Sequence, residues 1–60
     1  MIYHAEIMKY GNGYSALVRE VPGVIAAADT LEATEQLIAE ALQFHLNLET
    51  EPKLEFLLSA

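Results

Sequence analysis

His4 and His45 are the side chains of this 60-residue sequence best suited to move a proton or hold a metal. His4 stands two residues from Glu6, so both share one face of an extended segment. No H-x-x-x-H spacing joins the histidines, which argues against a metal centre, and His45 reads as a core-edge imidazole. There is no cysteine, which removes a thiolate nucleophile, a zinc–thiolate site and a disulfide framework. The serines, Ser15 and Ser59, lie outside any G-x-S-x-G setting. Glu6, Glu20 and Asp29 would meet only if folding joined three segments, and Glu32, Glu35 and Glu40 read as a solvated helix face. The Gly11-x-Gly13 pair opens no helix and so makes no phosphate loop. The residues point to a binding protein, not an enzyme, with no cofactor and no metal.

Charge narrows the partners. Nine acidic and three basic residues give a net charge of −6. Affinity for phosphate backbones rests mostly on Lys and Arg, so nucleic acid is not expected as a partner. The acidity keeps the chain soluble, or forms a face for a basic protein. Hydrophobic residues make up 53% of the chain, which argues against disorder. No apolar run is long enough for a membrane span, and Met1 to Lys9 lacks the layout of a signal peptide. A cytoplasmic domain is expected. A chain of this size buries only about 60% of its unfolded surface, so self-association into a dimer or larger oligomer is the expected staple.

The elements that must position these residues follow from periodicity. Ile2 to Lys9 alternates as a strand, with Tyr3, Ala5 and Ile7 on one face and Ile2, His4, Glu6 and Met8 on the other. Tyr10-Gly11-Asn12-Gly13-Tyr14 predicts a hairpin turn. Tyr14 to Val21 is the second strand, Pro22-Gly23 ends it, and Val24 to Ala28 is a short third strand beneath a covering helix. Asp29 or Thr30 caps a helix running to about Leu48. If Asp29 caps, Glu32 completes a capping box. Its apolar stripe is Leu31, Thr34, Ile38, Ala41, Leu42 and His45, broadened by Leu37, Phe44 and Leu48; Gln36 and Gln43 lie opposite. Pro52 stops it. Lys53 to Ser59 reads as a fourth strand with Leu54, Phe56 and Leu58 on one face, or as a short terminal helix. The expected fold class is α+β, one domain over 1–60: a three-stranded antiparallel meander, a helix and a further strand.

From Tyr14 onward the sequence resembles the HicB antitoxin family. The matching residues are Tyr14, Ala16 and Val18, then Val21-Pro22-Gly23, then Asp29-Thr30 with Glu32, and Glu40-Ala41-Leu42 with Leu46. The match spans roughly Tyr14 to Leu48. Arg19, Glu20, Val24, Ala28 and Ala33 stand where the family pattern has proline, aspartate, cysteine, glycine and glutamate. The resemblance implies a βββαβ partial RNase H fold and an antitoxin-type module that sequesters a small basic HicA-type toxin. It implies no nuclease activity. The helix-turn-helix or ribbon-helix-helix domain of complete family members has no counterpart before Ala60, so operator binding is not expected. On this reading Glu20, Val21, Pro22 and Gly23 are the partner-binding residues. The alternative is an orphan homo-oligomeric domain with another protein or small-ligand interaction.

Overall fold

A computed structural model describes residues 1–59. The chain forms β1 (Ile2–Tyr10), β2 (Gly13–Val18), β3 (Ile25–Ala28), α1 (Leu31–Leu46) and β4 (Lys53–Ser59) in that order. The four strands make one mixed sheet in the order β3-β2-β1-β4. This is the α+β, βββαβ arrangement. The meander is antiparallel: Ala5 pairs with Val18 and Ser15 with Ala27. Residues 53–59 are a strand, not a helix, and join β1 in parallel, with Ala5 opposite Phe56.

Each turn has a local cause. Tyr10 pairs with Gly13 across a two-residue loop. Positive φ at Gly11 (59°), and at no other residue of that loop, follows the type II′ pattern, which matches strand twist. Gly13 is needed for another reason: a Cβ there would lie 2.6 Å from the Ala28 carbonyl oxygen. β2 ends at Val18, three residues before the expected Val21, because two consecutive turns take over. Val21 N–H donates to the Val18 carbonyl at 3.3 Å, and Val24 N–H to the Val21 carbonyl at 3.4 Å. The second turn has Pro22 and then Gly23 at φ 98°, the type II signature.

Thr30, not Asp29, is the helix N-cap, its Oγ1 accepting from Ala33 N–H at 3.1 Å. With Ala33 at N3 no carboxylate returns the bond, so the expected capping box does not form. Asn47 ends the helix in the left-handed region, where Asn is tolerated, and its N–H reaches the Gln43 and Phe44 carbonyls. α1 packs chiefly on β3 and β2. The core joins Ala5, Ile7, Ala16, Val18 and Val24 to Ile38 and Leu42. Thr34, the buried polar side chain of this region, donates to the Thr30 carbonyl at 2.8 Å. The helix stripe is narrower than expected. His45 is exposed, and Phe44 is 89% exposed. Both side chains sit beside the turn into β3, where with Gly23, Val24 and Ile25 they line an open hollow.

Candidate functional site

The four partner-binding residues expected from the sequence occupy the β2–β3 reversal, but in three different settings. Pro22 and Gly23 are exposed on the turn. Val21 is half-buried and packs against the core. Glu20 is bound into the sheet: Oε1 accepts the His4 backbone N–H at 2.7 Å, and Oε2 faces His4 Nδ1 at 2.5 Å. Both bonds favour the charged carboxylate, led by the backbone N–H, and hold its pKa below the usual range. Beside it Arg19 Nε donates to Glu6 Oε2 at 2.8 Å, and this hydrogen bond raises the guanidinium pKa further. The sequence placed His4 beside Glu6; folding instead joins His4 to Glu20 and Glu6 to Arg19. Because the Glu20 carboxylate accepts, His4 Nδ1 carries a proton, which makes it a poor metal ligand at that atom. No group of three or more metal-ligating side chains occurs among the described residues.

These pairs lie on the sheet face opposite α1, which no described element covers. It carries Ile2, Met8, Leu17 and Ile25 as well. Its charges nearly cancel: Glu6, Glu20 and Glu55 against Arg19 and Lys53. The remaining charges tell a different story. Lys9 stands alone against Asp29, Glu32, Glu35, Glu40, Glu49 and Glu51. The chain's acidity is therefore concentrated on the helix and its flanking loops.

A second feature appears only in the fold. Because α1 lies over β3 and β2, the helix-side row of β4 is left partly open, with Phe56 38% and Leu58 63% exposed. Between α1 and β4 runs a shallow trough of about 410 Å³. Its floor is Leu54 and Phe56, and Glu32, Glu35, Glu40 and Glu51 stand around it. Sequence reasoning found the Leu54, Phe56, Leu58 alternation but had no means of telling that the helix misses it. No helix among the described residues is long and apolar enough to cross a membrane. Compared with known proteins, the chain matches no family model, no curated protein and no solved structure.

Proposed function

We propose that the chain is a protein-binding module of the HicB antitoxin type, which sequesters a small basic protein such as a HicA-type RNA-cleaving toxin in the cytoplasm. It acts without catalysis, cofactor or direct nucleic-acid contact. The observation that carries this reading is the segregation of charge, with six anions and one cation on the helix side of the molecule. Such a field speeds encounter with a cationic partner and repels nucleic acid. The family-like residues support it: Val21-Pro22-Gly23 forms a tight exposed reversal, and Thr30 caps the helix. Within that reversal Pro22 and Gly23 make contact, while Glu20 and Val21 hold the loop in shape. The test is a titration of purified chain into a HicA-type toxin cleaving RNA. Cleavage should stop near stoichiometry, and the association rate should fall as salt rises. Undiminished cleavage with excess chain defeats the proposal.

The uncovered sheet face favours a second reading, an orphan homo-oligomer. Its near-neutral, partly apolar surface lets two copies approach with their acidic helices turned outward. Sedimentation at micromolar concentration should then show a dimer that Leu17→Asp disperses. A monomer with a concentration-independent Tm removes this reading.

A further inference from the structure

We propose that the trough between α1 and the free edge of β4 is the docking site for an extended segment of a basic protein, which adds as a fifth strand; this rests on the reading of the chain as an acidic binding module. β4 ends the sheet, so its outer N–H and C=O groups form an open ladder. The edge is poorly guarded. It runs seven residues, has no proline, and its cation, Lys53, stands at its first position on the face away from the helix. A strand laid there turns every second side chain toward the trough. Apolar side chains on that row cover Phe56 and Leu58, both left open by the helix. Lys or Arg flanking them reaches Glu40 and Glu51, and neither Lys nor Arg from this chain lines the trough.

Charge separates this occupant from a second copy. A second β4 would offer Leu54, Phe56 and Leu58 on that row, with no cation among them. It would also bring its own trough glutamates up against the first set, like charge against like. A foreign segment with cations flanking an apolar centre satisfies both the floor and the walls.

The probe is a synthetic peptide of about seven residues, Lys-Thr-Val-Thr-Val-Thr-Lys, which alternates as a strand. Two control peptides replace Lys by Glu, or the central Thr by Pro to remove a ladder donor. Binding is read on the whole chain by backbone amide NMR shifts and by fluorescence anisotropy. Expected are shifts confined to β4 and the outer face of α1, and about tenfold weaker binding of either control. The variants Leu58→Lys and E40K/E51K alter exposed side chains. Each should keep the parent's urea midpoint and weaken the peptide about tenfold. Shifts on the Leu17–Ile25 face, equal binding of the Pro peptide, or unweakened binding by both variants would overturn the proposal. So would a free chain whose β4 amides are already protected in a dimer. Loss of peptide binding beside intact toxin inhibition removes the trough and leaves the antitoxin reading. Intact peptide binding beside failed inhibition does the reverse.

Discussion

Glu20 holds His4 at two points, accepting the backbone N–H with one oxygen and facing the imidazole Nδ1 with the other. The pair ties the reversal after β2 to the start of β1. Its effect on stability has a definite sign. Folding lowers the Glu20 pKa, so the contribution is present above the usual carboxylate range and is lost as pH falls through the lower folded value. In urea melts across that acid range, the parent should lose stability more steeply than Glu20→Gln. Parallel pH profiles for the two proteins would show that the carboxylate adds nothing.

Ile38 and Leu42 are fully buried between α1 and the sheet. Truncating either to alanine should cost about 2–5 kcal/mol. Gln36 is exposed, and Gln36→Ala should cost about 0.5 kcal/mol or less. Gln43 is a poorer control, being half-buried with Nε2 donating to the Leu48 carbonyl at 3.4 Å. Equal urea midpoints for Ile38→Ala and Gln36→Ala would contradict the packing of the helix.

Thr30 and Thr34 should behave differently although both hydroxyls are bonded. Thr30→Ala removes the N-cap and should cost about 1 kcal/mol. Thr34→Val keeps the buried shape, and the Thr30 carbonyl still accepts the Thr34 N–H at 3.0 Å. Its cost should therefore be smaller, about 0.5 kcal/mol. Thermal melts of the two variants decide the order.

Two glycines of one hairpin separate conformational from steric need. Gly11→Asn puts its Cβ in open space, so its cost, about 1 kcal/mol, comes from the positive φ alone. Gly13→Ala drives a methyl against the Ala28 carbonyl and should cost about 1–3 kcal/mol. A Gly13→Ala Tm equal to the parent's would mean that β3 can withdraw from the hairpin at little cost.

What was legible in the sequence was what repeats along the chain. The alternation of Tyr3, Ala5 and Ile7 and the spacing of Thr34, Ile38 and Leu42 placed the buried faces correctly. Less legible was what depends on a remote neighbour. Phe44 and His45 fit the apolar stripe by periodicity, yet both lie exposed around an open hollow beside the turn into β3. Val21 read as a strand residue, but its N–H closes a turn onto Val18. The Glu20–His4 pair joins residues whose meeting depends on strand register, and no local spacing announces it. The trough is harder still, since it exists only because the helix leans toward β3.

The parallel pairing of β4 with β1 also sets a timetable for folding. Ile2 pairs with Lys53 and Met8 with Ser59, so every rung of that ladder spans most of the chain. The hairpin closes a short loop, whereas this ladder must wait until the reversal and helix have shortened the distance between its strands. Until β4 arrives, β1 is itself a bare edge along nine residues. The interval before that last strand docks is when one nascent chain is most apt to pair with another, and it lengthens with anything that slows α1.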